Sequence, residues 1–226
     1  MIAEIQVDQL IRSKRRTVAI EIQKDASLVV RAPWNTSEEV IRKILFKKRS
    51  WIHGHQAKIR IKRSECRPKE FKEGENYLFL GNTYGLRFSE NANERLVLDT
   101  SGFRMLERCR PNAREYFMDW YKEQALLKIS ERVEFFSSKM DCQYDVIHIT
   151  NALSRWGSCS SRGSLNFSWR LIMAPIEIVD YVVVHELAHL FELNHSHRFW
   201  RLVKSAIPDY EIREEWLKKC GHTLDL

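Results

Sequence analysis

Residues 185–189 read His185-Glu186-Leu187-Ala188-His189. Side chains four apart share one face of a helix, so both imidazoles can reach a single metal ion. Glu186, beside the first of them, then leans toward the ion's open position. One Zn²⁺ ion suits such ligands, and three protein ligands plus a water is the arrangement a catalytic zinc needs. The expected third ligand is His195, six residues past His189, with His197 competing for the same role. An ion held in this way lowers the pKa of its water toward ~7 and polarises a scissile carbonyl. Glu186 would take the water's proton and pass it to the leaving amine. Burying these polar groups without an ion would leave them unpaired, which argues against a merely structural cluster.

The motif needs a buried helix and a turn behind it. An apolar helical pattern starts near Pro175, runs through Asp180-Tyr181-Val182-Val183-Val184 and is expected to last to about residue 193. Asn194 tolerates the left-handed conformation that a helix end uses, and Ser196 can cap a helix opening His197-Arg198-Phe199-Trp200. Asp180 and Glu192 both qualify as partners for a ligand imidazole. Phe199, Trp200 and Trp216 read as core, and Cys159, with no histidine and aspartate arranged around it, as packing rather than a nucleophile. Tyr181 and Tyr210 are candidate transition-state donors.

Further upstream, Val18-Ala19-Ile20-Glu21-Ile22 and Leu28-Val29-Val30 suggest a hairpin turning at 24–27. Thr36-Ser37-Glu38-Glu39 looks like a capping box for a helix reaching about residue 60. The polar stretch 64–76, with Pro68 and Gly74, is the best linker candidate. Strand pairs around Gly81-Asn82 and Ser101-Gly102 predict a meander. Pro111 fits the first turn of a long helix built on Phe117, Trp120, Tyr121, Leu126, Leu127 and Ile129 and ending near residue 140. Strands are expected at 146–149 and 164–168, separated by a looser segment, 151–162. Strands dominate early and helices late, so the fold class is α+β.

The composition is that of an ordinary globular chain: 226 residues, 44% hydrophobic and 30% charged. The most apolar stretch, 171–193, carries Glu177, Asp180, His185, Glu186 and His189, which excludes a membrane span. The start, Met1-Ile2-Ala3-Glu4-Ile5, lacks the regions of a signal peptide, and five cysteines without a CxxC pair read as reduced thiols; a cytoplasmic location is expected. Residues 1–63 hold 15 Lys and Arg against 6 Asp and Glu, a balance of +9 in a chain whose net charge is +7. Such a segment either forms a solvated helix face or meets a polyanion such as nucleic acid or a nucleotide.

Several runs resemble a known family. They are Arg155-Trp156-Gly157-Ser158-Cys159-Ser160, Asn166-Phe167-Ser168-Trp169-Arg170-Leu171-Ile172, Pro175 with the segment from Asp180 through His189, and Asn194-His195-Ser196 with Phe199-Trp200. Arg31-Ala32-Pro33, Trp51-Ile52, Gly74-Glu75, Leu80-Gly81-Asn82-Thr83-Tyr84 and Trp120-Tyr121 extend the likeness over nearly the whole chain. Together they resemble the YgjP-like metallopeptidases, zincins similar to the SprT and WLM-type peptidases. The resemblance implies a zincin-like catalytic domain, with the histidine matching His195 as third zinc ligand. A metzincin assignment fails, because that pattern has Gly where this chain has Glu192.

The expected organisation is a smaller β-rich N-terminal region, 1–75, followed by a zincin-like metallohydrolase domain, 76–226, unless the two form one compact unit. Peptide bond hydrolysis is the expected activity. Arg155 and Asn166 are substrate-binding candidates, and 165–168 is the candidate edge strand for a protein or peptide substrate. Two other readings keep the metal: a nucleoside triphosphate pyrophosphohydrolase, and a DNA-associated protein whose structural zinc takes a fourth ligand such as His197.

Overall fold

The computed structural model describes residues 5–23, 26–65, 68–90 and 94–226. Lys24 and Asp25 of the expected hairpin turn, and Cys66 and Arg67 of the expected linker, lie outside the described residues. The chain divides into two compact units, Met1–Arg67 and Pro68–Leu226.

In the first unit, strands β1 (Gln9–Ser13), β2 (Ala19–Ile22) and β3 (Leu28–Pro33) are followed by helix α1 (Glu38–Glu65). The hairpin forms as expected, with β2 antiparallel to β3, and β1 adds to the far side of β3 in parallel. Leu28, Val30 and Ala32 alternate along β3 and pack with Ile41, Leu45 and Ile52 of α1, so period-two and helical spacings meet in one small core. Ser37 caps α1 by accepting from the Val40 N–H at 3.4 Å. The residue three past this cap is therefore Val40, not the glutamate a reciprocal box requires. The surface of α1 is solvated, with Arg42 and Lys43 paired to Glu38 and Glu39 at 3.7 and 2.8 Å.

The second unit opens with β4 (Asn76–Phe79), β5 (Asn82–Ser89), β6 (Leu96–Asp99) and β7 (Gly102–Leu106). The expected meander is corrected: the order is β4-β5-β7-β6, and β7 runs parallel to β5. Phe103, Met105 and Leu106 make β7 the most apolar of the four, which favours a central place. Gly102 makes room for it: at φ 119°, a β-carbon there would stand 2.5 Å from the Gly85 carbonyl oxygen.

Pro111 falls in a 3-10 turn (Glu107–Asn112) ahead of helix α2 (Ala113–Met140) rather than inside the helix. The buried stripe of α2 runs Ala113, Phe117, Tyr121, Ala125, Ile129, Val133 and Phe136. Leu126 and Leu127, expected on it, are 49% and 60% exposed, because a strict four-residue step passes through Ala125 instead.

A second sheet carries β8 (Ile147–Thr150), β9 (Gly157–Cys159) and β10 (Leu165–Ser168) in the order β8-β10-β9. The 165–168 strand is therefore not an edge: β8 pairs with one side in parallel and β9 with the other in antiparallel. The edge nearest the motif helix is β9, inside the segment expected to be loose. Then come α3 (Ile176–Ala188), α4 (His197–Ala206) and α5 (Tyr210–Cys220). Residues 178–184 of α3 are all buried, so enclosure outweighs the strand preference of Val182-Val183-Val184. The architecture is α+β, with the His-Glu-x-x-His pattern on a core helix preceded by a smaller β-rich region.

Candidate metal centre

Helix α3 ends at Ala188, five residues before the expected end. Bonds from His189 N–H to the Glu186 carbonyl and from Leu190 N–H to the Leu187 carbonyl tighten the last turn (3.2 and 3.0 Å). The reversal uses no left-handed residue at 194, contrary to expectation: Asn194 is not among the residues with positive φ. Ser196 then caps α4 as expected, its hydroxyl accepting from the Phe199 N–H at 3.3 Å.

This turn carries His195 back over α3. One potential ligand atom from each of His185, His189 and His195 lies within 4.8 Å of the others, the only such histidine, cysteine or carboxylate group among the described residues. His195 Nε2 is 2.9 Å from His185 Nε2. His197, the competitor, starts α4 in an exposed position outside this cluster. Phe199 is fully buried, its ring centroid 4.9, 4.6 and 4.7 Å from those of His185, His189 and His195. Trp200 stacks on His195 at 5.8 Å, and Tyr210 on Trp200 at 5.1 Å.

The second partners also came out differently from the candidates. His189 Nδ1 lies 3.1 Å from the Glu192 backbone carbonyl, not its carboxylate. A carbonyl only accepts, so Nδ1 carries the proton and Nε2 keeps its lone pair for the cluster. Asp180 is no imidazole partner, because its two oxygens accept from Arg132 Nε and Nη2 at 2.6 and 3.0 Å. His185 Nδ1 is shut from solvent and has no hydrogen bond among the described residues.

The electrostatics favour neutral rings. Burial, with smaller contributions from His189 and His195, pushes His185 down to about 3, and burial also lowers His189. Metal ligation requires unprotonated imidazole nitrogens, so these residues fit a divalent ion. Glu186 is 5% exposed, and burial raises its carboxyl to about 8 against the opposing charge of Arg155.

Glu186 is seated by a residue that the motif alone does not point to. A β-carbon at Gly157 would stand 2.5 Å from Glu186 Oε1, so only glycine lets β9 lie this close to the carboxylate. The signal was a glycine inside Trp156-Gly157-Ser158, readable as a close backbone approach. Arg155 and Asn166 line one small cleft of about 150 Å³ together with Gly157 and Ser158. Arg155 is exposed and makes no hydrogen bond, ion pair or ring stack among the described residues. The Cys159 thiol is pushed up to about 11 by burial and by Glu186, which suits packing rather than nucleophilic attack. Tyr181 is buried edge-on to His185, with ring centroids 6.0 Å apart, and burial raises its hydroxyl pKa.

The family model described as "YgjP-like, metallopeptidase domain" matches residues 16–220. The chain belongs to this YgjP-like family. Its membership makes it a metallopeptidase by class, and the match runs through both compact units. Among solved structures, the chain is similar to the metallopeptidase zymogen abylysin of Pyrococcus abyssi, at 22% identity and a TM-score of 0.38, over 41% of this chain and 95% of that one. The zymogen jannalysin of Methanocaldococcus jannaschii gives 20% identity and a TM-score of 0.36, over 41% and 94%. No curated protein matches. No helix among the described residues is long and apolar enough to cross a membrane.

Proposed function

We propose that this YgjP-like chain is a zinc peptidase in which His185, His189 and His195 hold one ion and Glu186 moves the protons. The convergence of three imidazoles within 4.8 Å, beside a buried carboxylate, carries this reading. Zinc is the fitting ion for an all-nitrogen set, which His185, His189 and His195 would supply. When bound, the ion would supply an acidified water and a polarised substrate carbonyl.

The chain's own groups do the rest. Glu186 accepts the water's proton and returns it to the departing amine, a role that burial suits by bringing its pKa toward neutrality. The substrate backbone extends β9. Trp156 and Ser160 bond to β10 through the Ser168 N–H and the Ser164 carbonyl, at 2.8 and 2.9 Å. Alternation along an antiparallel pair then turns the Gly157 and Cys159 backbone groups outward, toward an added strand. Arg155 and Asn166 bind the substrate beyond the scissile bond.

The test compares wild type with Glu186→Gln on denatured proteins and on UTP and ATP, each with and without chelator. Chelator-sensitive proteolysis that Glu186→Gln abolishes at unchanged metal content is expected. Proteolysis surviving in Glu186→Gln, or turnover of nucleotides alone, would overturn the reading.

A further inference from the structure

The cleft beside Gly157 has a chemical bias that a general peptide-binding surface would not need. Of its polar side chains, Thr150 and Ser168 already spend their hydroxyl protons on backbone carbonyls, at 3.3 Å to Phe167 and 3.0 Å to Ala152. The donors left are the Arg155 guanidinium, the Ser158 hydroxyl and one amide hydrogen of Asn166, whose Nδ2 donates the other to the Ser158 carbonyl at 3.4 Å. No aspartate or glutamate lines the cleft, and Arg155 is its one charged residue. Among the described residues Arg155 forms no ion pair. An unpaired guanidinium with two neutral donors calls for a planar acceptor carrying one negative charge.

From this we infer that the cleft takes the free C-terminal carboxylate of a peptide, so that the enzyme trims chains from their carboxyl end. The inference rests on the peptidase reading above and narrows its substrate class. A volume of about 150 Å³ admits a carboxylate and its neighbouring carbons. A triphosphate, with several charges, would want more than one cation. Position agrees as well. Gly157 both lines the cleft and touches Glu186, and Arg155 is two residues away, at most ~7.6 Å between Cα atoms. Alternation along the strands sets the Ser158 and Asn166 side chains on the sheet face opposite that Glu186 contact, so the substrate's last residues turn past the Arg155 end of β9 to enter the cleft.

The first arm measures binding without turnover. Glu186→Gln protein is titrated calorimetrically with an N-acetylated tripeptide acid, its C-terminal amide, and inorganic phosphate. The acid should bind roughly tenfold or more tighter than the amide. Arg155→Gln, added to that background, should bring the ratio near one, and Arg155→Lys should keep part of it. Equal binding of acid and amide, a preference that persists in Arg155→Gln, or phosphate binding in place of the acid would each overturn the inference.

The second arm identifies the products of wild-type cleavage by mass spectrometry. Release of short C-terminal fragments from acids, favoured over amides, supports the inference. Internal cuts made equally in both would sink it and leave the peptidase reading intact. Acid-selective binding with no cleavage of any peptide would sink the peptidase reading and keep the carboxylate cleft.

Discussion

Arg132 of α2 and Asp180 of α3 form a two-pronged pair, Nε to Oδ1 at 2.6 Å and Nη2 to Oδ2 at 3.0 Å. Asp180 stands five residues before His185 and is 9% exposed, so the pair ties the motif helix to the longest helix of its unit. Asp180→Asn loses charge-assisted bonds of about 1.5–3 kcal/mol and should lower the midpoint of thermal unfolding by several degrees. Calorimetry checks this, and an unchanged midpoint would show that the pair is idle.

Gly157→Ala tests how tightly Glu186 is held. The new β-carbon would meet Glu186 Oε1 at 2.5 Å, and the carboxylate must move. A displacement of about 1 Å at a reacting group can cost ~10²-fold, so kcat should fall by one to two orders of magnitude. Metal content should not change, because neither strand β9 nor Glu186 supplies a ligand in this scheme. Steady-state rates alongside elemental analysis read both quantities.

Adding zinc to metal-free protein should raise its unfolding temperature. An ion present at 1,000 times its dissociation constant stabilises by ~4 kcal/mol. His195→Ala, which removes the one ligand outside the His-Glu-x-x-His segment, should lose most of the shift, whereas Glu186→Gln should keep it. A full shift in His195→Ala would show that the ion sits elsewhere.

Asn151 serves two buried donors at once: its Oδ1 accepts from Trp169 Nε1 at 2.9 Å and from Arg170 Nη1 at 2.8 Å. Arg170 in turn reaches Asp225 through Nε at 2.8 Å. Asn151→Ala strands both donors and should destabilise the protein by about 2–4 kcal/mol, measured by urea unfolding. It should also raise KM, since 151–156 leads into Arg155 and β9.

How far the sequence disclosed this arrangement depends on how local each signal was. His185 and His189 stand four apart on a helix, and that spacing brings their rings together by itself. The hairpin turns at Gly81-Asn82 and Ser101-Gly102 were similarly local. The order β5-β7-β6 was not, because it depends on Gly102 lying against Gly85, which composition does not announce. Strand β9 was hidden for a related reason: three residues among serines and glycines show no alternation, and only pairing with β10 makes them a strand. With β9 concealed in this way, β10 reads as an edge although it is paired on both sides. Leu126 and Leu127 drew the apolar stripe of α2 one position astray, since a large side chain reads as core whichever way it faces.

Phe199 lies against all three imidazoles and is itself wholly enclosed. That aromatic plate blocks one approach to the rings, and in the proposed scheme an ion and a substrate would both use the side left open. A peptide seated there stands between the ion and any scavenger outside. Occupancy and metal retention thus become one property, and a saturated enzyme should surrender its ion to a chelator more slowly than an idle one.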